Sequence, residues 1–298
     1  KHGSYTGFYI CDPKQRHIHK ATVRDRVLHH AVFRVLNPIF EPTFIPNSFS
    51  CRVGKGSHKG VAALEQMLRS VSRNYARTVY ALKCDIKKFF DSIDHQILLT
   101  MLGKKIVDPD TMWLLTEIVN SYHSIPVGGG GSKGFVQGKG VPIGNLTSQL
   151  FANVYMNEFD QFVKQELQVK HYVRYTDDFI IVADSKQYLE EVLTKIQKFL
   201  SGRLLLQLHP NKVSIRTLYQ GIDFLGYVIL PHYTLLRATT KKRIFRKLKE
   251  RTQQYHREEI SEETLYQSLQ SYLGVLSHAD AYRLTQELKN KYWFWLGE

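Results

Sequence analysis

Apolar and polar positions along the chain fall into two periods, one extended and one helical. Residues 79–85 form a β-prone apolar run that ends in a carboxylate and leads into the pair Phe89-Phe90. Two short runs, 171–175 and 179–182, are separated by a turn and predict a hairpin, and 204–208 is a further strand-like run. Helical spacing marks 24–36, stopped by Asn37-Pro38. It marks 94–122 through Ile97, Leu98, Met101, Leu102, Trp113, Leu114 and Ile118, and 146–162 through Leu150, Val154 and Phe159. Residues 239–256 carry apolar Ile244, Phe245 and Leu248 in a basic helix, and 262–276 with 279–295 add a helix pair. The first eighty residues mix short strands and helices.

The turn of the predicted hairpin is Tyr175-Thr176-Asp177-Asp178. Two ionised neighbours repel, so a fold that keeps them together normally supplies cations; the same pair also suits a turn by its local hydrogen bonding alone. Asp85, at the end of the 79–85 strand, offers a third carboxylate at a second strand end. Hard cations such as Mg²⁺ take oxygen ligands and keep waters and substrate phosphates, so two or three Asp side chains suffice. Two such ions about 3.5–4 Å apart would serve an in-line phosphoryl displacement, the chemistry of a polymerase.

With those residues in view, the chain resembles the reverse transcriptases over nearly its whole length. Arg24-Asp-Arg26 and 50–56 (Ser-Cys-Arg-Val-Gly-Lys-Gly) are similar to the two fingers segments. Residues 85–90, 140–149 and 175–178 resemble the three palm motifs, 209–212 (His-Pro-Asn-Lys) the lysine-bearing motif, and 224–227 the primer grip. Most group II intron and retroviral relatives carry Gln before the Gly of the second palm motif and Pro after its Ser; here Ile143 and Gln149 stand there. The string 143–149 (Ile-Gly-Asn-Leu-Thr-Ser-Gln), with Asp-Pro-Lys at 12–14 and the run 24–30, is most similar to reverse transcriptases of diversity-generating retroelements. Those enzymes copy a template repeat with frequent errors at adenines, and the resemblance carries part of that infidelity onto Ile143. Thr176 departs from a position where relatives vary, and it leaves the carboxylates intact.

The resemblance implies an α+β right-hand polymerase: fingers over 1–78, a palm of antiparallel sheet flanked by helices over 79–234 with a helical and loop insertion around 95–140, and a helical thumb over 235–298. It implies two Mg²⁺ ions, with Mn²⁺ as substitute, on Asp85, Asp177, Asp178 and the Ile86 carbonyl. Lys14, Arg16, Arg52 and Lys55 would grip the triphosphate, where a cation neutralises charge developing on pyrophosphate; each is equally readable as a surface cation. Phe90 would stack under the sugar and clash with a 2′-hydroxyl, against the alternative of a core phenylalanine. Ile143, Gly144, Ser148 and Gln149 would face template and nucleotide, and Lys212 would protonate the leaving pyrophosphate, unless it is a surface lysine. Phe224, Leu225, Gly226 and Tyr227 would hold the primer, a role compatible with hairpin core.

Composition fits this picture and excludes others. The 41 Lys and Arg against 27 Asp and Glu give a net charge of +14, favouring a polyanionic partner. Seven cations between Lys241 and Arg251 concentrate that charge on one helix, whose binding to phosphates would be steeply salt dependent. At 298 residues and 43% hydrophobic content the chain can bury a large core as two or three subdomains. No run approaches the length of a membrane helix and no signal peptide opens the chain, so a soluble, cytoplasmic, bacterial or phage-encoded protein is expected. Three scattered cysteines support neither a disulfide framework nor a zinc ribbon, and the 13 His residues lack metal-ligand spacing. The run Gly-Gly-Gly-Gly-Ser at 128–132 reads as a flexible connector resembling an engineered linker, and Lys1 in place of Met suggests a trimmed start. No ribonuclease H, integrase or endonuclease segment is expected after the thumb. Expected partners are template RNA, a DNA or RNA primer, deoxynucleoside triphosphates and a basic oligomeric accessory protein, with no membrane. Two other classes stay open: another bacterial lineage such as a retron-like or phage-defence enzyme, and a non-catalytic RNA-binding scaffold.

Overall fold

The computed structural model describes residues 2–11, 15–124 and 138–297. Lys14 and the Gly-rich run 128–132 lie outside the described residues. The chain divides into two compact units, one of residues 1–60 and 82–215, the other of 61–81 and 216–298. Helix α2 (Ser57–Val71) contributes most of its length to the second unit.

In the first unit, an antiparallel ribbon of β1 (Thr6–Ile10) and β2 (Arg16–Lys20) leads into α1 (Val23–Phe40), which Thr22 caps by accepting from the Asp25 N–H. The helix was expected to stop at Asn37-Pro38. It instead runs through Pro38 to Phe40: the added residues bury Phe40, which offsets the lost N–H bond and the ring clash of an internal proline. The main sheet has the order β4 (Tyr172–Tyr175), β5 (Asp178–Ala183), β3 (Tyr80–Asp85), β6 (Ser214–Thr217).

Helices flank this sheet. After the short turn α3 (Phe89–Ser92), the stretch 94–122 is broken into α4 (His95–Gly103) and α5 (Pro109–Asn120). Asp94 caps the first, and Asp108, ahead of Pro109, starts the second; the Gly103 and Pro109 pair explains the interruption. Helix α6 (Leu146–Gln161) is buried on nearly all sides, and α7 (Lys186–Arg203) packs its Leu189, Val192, Ile196 and Leu200 into the core. The strand-like run 204–208 alternates in burial but does not form a strand: Leu204 closes the preceding helix in helical geometry, Leu205 takes a left-handed backbone (φ 51°), and the bridge found among the described residues joins Leu208 to Ile86.

In the second unit, β7 (Ile222–Phe224), β8 (Tyr227–Leu230) and β9 (Tyr233–Leu236) form an antiparallel meander. Helices α8 (Ala238–His256), α9 (Glu262–Leu276) and α10 (Tyr282–Leu296) follow the predicted spans closely and enclose a core of Ile244, Leu248, Leu265, Leu269, Leu276, Leu288 and Tyr292.

Candidate active site

Strands β4 and β5 pair with Tyr175 opposite Asp178, so Thr176 and Asp177 form a two-residue loop. Thr176 takes φ 55°, a costly conformation for a β-branched residue. Neighbouring groups fix it: the Thr176 hydroxyl donates to Ser50 Oγ at 2.6 Å, and Arg174 donates to the Thr176 carbonyl at 3.0 Å. The Ile86 N–H closes the loop from the adjacent strand by donating to the Asp177 carbonyl at 3.1 Å.

Behind the loop lies a fully buried ion pair that sequence reading passed over. Arg174 meets Asp160 through Nε at 2.8 Å and a terminal nitrogen at 2.6 Å, and that nitrogen also donates to Ser48 Oγ at 3.0 Å. Tyr172 donates its hydroxyl to the same carboxylate at 2.7 Å. A lone Arg inside an apolar strand was the available signal, since charge there demands a partner.

A third segment arrives through backbone pairing. Lys87 donates to Gln207 and His209 to Asp85, each at 2.8 Å, and the turn at 209–212 places Lys212 Nζ 2.8 and 2.9 Å from the two oxygens of Asp85. Residues 85, 177 and 212 therefore meet at one place. Asp177 is held above the usual carboxylate range first by burial and then by the negative charge of Asp85, with its own backbone N–H, Lys212 and Arg16 partly opposing. Asp178 sits on the next residue, 3.8 Å from Lys83 Nζ.

This donor set fits a hard divalent cation, because a buried carboxylate raised by a second carboxylate is relieved by positive charge, and Mg²⁺ needs one or two carboxylates besides substrate oxygens. Among the described residues no three His, Cys, Asp or Glu side chains group closely enough to hold a metal alone. Asp85, Asp177 and the Ile86 carbonyl are thus the central candidates, with Asp178 beside them.

The other predicted residues divide by environment. Arg16 opens β2 in an exposed position and acts electrostatically on Asp177. The β2 strand crosses the 140–149 segment, where the His19 N–H donates to the Ile143 carbonyl at 3.0 Å. Gly144 faces it with φ 124°, and a Cβ there would lie 3.0 Å from Ile18 Cγ2, so the close crossing requires glycine. Gln149 is exposed, whereas Ser148 is buried beside Tyr5 and Phe151; the structure turns Ser148 inward rather than toward a template.

Arg52 also departs from expectation as a triphosphate grip. Its side chain is 6% exposed, and its guanidinium donates to Glu41 at 2.8 Å and to the Ile45 and Ser48 carbonyls at 2.7 and 2.9 Å, which braces the loop. Lys55 donates to the Pro46 carbonyl at 2.8 Å from an exposed position. Phe89 is core, while Phe90 remains half-buried, its ring 5.4 Å from Phe89.

In the second unit, Phe224 and Tyr227 are buried and pair across the hairpin, so their rings are core. The half-buried turn Leu225-Gly226 is the part left for a strand to touch. Of the cysteines, Cys84 is buried, with its thiol pushed up by burial, and Cys11 and Cys51 are exposed; all three are free. No helix among the described residues is long and apolar enough to cross a membrane.

The family model for reverse transcriptase (RNA-dependent DNA polymerase) matches residues 11–229, well over half of the chain. The chain belongs to the reverse transcriptase family. Within that family it is similar to Escherichia coli (strain K12) protein YkfC, at 27% identity over 240 residues, 70% of this chain and 61% of the relative. It is also similar to the group II intron-encoded protein LtrA of Lactococcus lactis subsp. cremoris, at 25% identity over 285 residues, 72% and 44% of the two chains. The chain spans about half the length of these curated relatives. Among solved structures, telomerase from Candida albicans in complex with a TWJ fragment of telomeric RNA matches with TM-score 0.58 and 14% identity, covering 100% of this chain and 55% of that one. Apo telomerase from Candida tropicalis, truncated from its C-terminal domain, matches with TM-score 0.57 and 12% identity, covering 76% and 53%. These likenesses show the fold: α+β, with the palm-like sheet flanked by helices of a reverse transcriptase polymerase.

Proposed function

We propose that the chain catalyses RNA-templated DNA synthesis by two-metal nucleotidyl transfer. The observation that carries this reading is the meeting of Asp85, Asp177 and Lys212, residues from three distant segments, at one strained and buttressed hairpin. Mg²⁺, or Mn²⁺ in its place, held by Asp85, Asp177, the Ile86 carbonyl and Asp178, would supply Lewis acidity and neutralise developing charge.

The chain's own residues do the rest. Lys212 Nζ stands beside Asp85 as a donor that can pass a proton to a leaving pyrophosphate oxygen. Arg16 adds positive charge for the triphosphate, joined by Lys14 and Lys55. Phe90 excludes a ribose 2′-hydroxyl and selects deoxynucleotides. Gly144 allows backbone close to the nucleotide, and Gln149 touches the template. Residues 1–78, 79–234 and 235–298 act as fingers, palm and thumb, and the turn at 225–226 steadies the primer.

The lineage we infer is the diversity-generating type, acting with a structured template RNA and a basic accessory protein. The relatives named above include an intron-encoded protein, so this finer reading rests on Ile143 and on the string 143–149. Extension of a DNA primer on an RNA template, with products sequenced and Asp177→Ala run in parallel, tests both levels. Errors concentrated opposite adenine support the diversity-generating type, and faithful synthesis moves the chain to another lineage. Extension by Asp177→Ala would refute the catalytic assignment. RNA binding without synthesis by wild type, with partners supplied, would leave the scaffold reading.

A further inference from the structure

Helix α8 is more than uniformly basic. Lys242, Arg246, Lys249, Gln253 and His256 recur at intervals of three and four residues and so share one face. Ile244, Leu248 and Thr252 occupy a different face, buried against the helical core. Glu250 tempers the stripe by pairing with Arg246 at 3.6 Å and Lys247 at 3.0 Å. Arg257, just past the helix end, lies 3.9 Å from Glu259.

The stripe runs into a cavity of about 360 Å³ lined by Lys249, Thr252, Gln253, His256, Arg257 and Trp295, a size within the range of about 300–1,000 Å³ usual for small-molecule sites. Its chemistry is specific. Trp295 offers a half-buried indole that packs against the helical core and has Lys249 Nζ over its ring, 6.0 Å from the centroid. His256 Nε2 lies 2.9 Å from the Trp295 carbonyl, to which it donates as the Nε2–H tautomer, leaving Nδ1 as an acceptor. Gln253 presents an exposed amide that both donates and accepts. Thr252 returns its hydroxyl to the Leu248 carbonyl at 3.0 Å and so forms the floor.

We propose that this cavity binds one unpaired nucleotide of a single-stranded nucleic acid, its base stacked on Trp295 and its phosphate between Lys249 and Arg257. An aromatic face flanked by cations and a bidentate amide recognises a base and its phosphate together, and it requires the base to be unstacked from a duplex. The continuous stripe from Lys242 to His256 supplies the track along which the flanking strand reaches the cavity. The site extends the polymerase reading by giving the nucleic acid a contact on the second unit, and its evidence comes from α8 and α10 alone.

The test is direct binding of labelled oligo(U) to the full chain by fluorescence anisotropy, beside an RNA duplex and oligo(dT). Trp295→Ala should weaken oligo(U) binding by about 5- to 150-fold and duplex binding by less than about twofold, while Trp295→Tyr, which keeps a ring, stays near wild type. Arg257→Glu, an exposed change independent of Trp295 packing, should also weaken oligo(U) and flatten its salt dependence, and Lys195→Glu on α7 should do neither. Equal losses for oligo(U) and oligo(dT) would mean the cavity reads base and phosphate; a loss for oligo(U) alone would mean that it also senses the 2′-hydroxyl. Equal loss on the duplex, no loss in either cavity variant, or an equal effect of Lys195→Glu would overturn the proposal. Because the assay measures binding and no synthesis, failure here is distinguishable from failure of the catalytic reading.

Discussion

Two hairpins of this chain have the same loop length and opposite means of support. The loop Thr176-Asp177 and the loop Leu225-Gly226 each join antiparallel strands, and each places a bulky residue first with positive φ, 55° at Thr176 and 49° at Leu225. At the first loop the strain is held by Ser50, by Ile86 and by a buried arginine with its own carboxylate. At the second, Gly226 at φ 92° completes a turn with both residues left-handed, the Arg237 N–H donates to the Gly226 carbonyl at 2.9 Å, and a partly exposed Arg237–Asp223 pair stands beside it. Strain that is locked by buried, directional groups fixes side chains to a geometry, whereas strain confined to Leu225, with glycine taking the second left-handed place, leaves a turn that tolerates change. The carboxylates sit on the locked one.

The sharpest way to break the comparison is to remove one partner on each side. Arg174→Met should cost about 3–5 kcal/mol, because it strands Asp160 in the interior, and denaturant unfolding will show it. Arg237→Ala, at a pair more than a third exposed, should cost at most about 1 kcal/mol in the same experiment. Equal losses would mean that the two loops are supported alike.

The loop residues sharpen it further. Leu225→Asn should stabilise by roughly 0.5–1 kcal/mol, since asparagine adopts the left-handed region with less strain. Thr176→Val keeps the strain and loses the bond to Ser50, so a cost of about 1 kcal/mol is expected by thermal unfolding.

The smallest effect concerns pH. Asp177 has a raised folded-state pKa, so the folded state holds its proton more tightly than the unfolded chain; stability from this group is present at low pH and lost as pH rises through the folded value. Asp177→Asn should therefore melt somewhat higher than wild type near pH 7, and the two curves should converge as pH falls into the ordinary carboxylate range. Added Mg²⁺ should raise the melting temperature of wild type more than that of the variant. Asp25 behaves oppositely: burial opposes its charge, but Thr22, the Gly3 N–H and Arg24 more than offset this and hold it at about 2, so its contribution is lost as pH falls toward 2.

Much of this was legible in residue order. The strand at 79–85, the hairpin around Asp177 and helices α6, α8, α9 and α10 follow from periodicity, because their burial is one-sided or continuous. Helix α7 was equally legible: Ser185 caps it and Leu189, Val192, Ile196, Phe199 and Leu200 recur at helical spacing, but the run went unread. Other features had no local signal. The β1 strand is exposed along its length and shows no alternation. Arg52 looks like a free cation beside a glycine loop until folding brings in Glu41 and two carbonyls. Ser148 and Gln149 are adjacent in sequence and differ only in which side of α6 meets the core. The Lys212 contact depends on backbone pairing across more than a hundred residues, and only the family resemblance pointed to it.

The central claim is that Asp85, Asp177 and Lys212 form one metal-dependent centre for nucleotidyl transfer. Mg²⁺ titration of primer extension on an RNA template, with wild type and Asp177→Asn assayed beside their unfolding curves, tests it most directly. The account predicts Mg²⁺-dependent extension by wild type and a loss of at least about a thousandfold in a variant that is folded and no less stable. Extension by folded Asp177→Asn at a comparable rate, or wild-type extension without divalent metal, would contradict it.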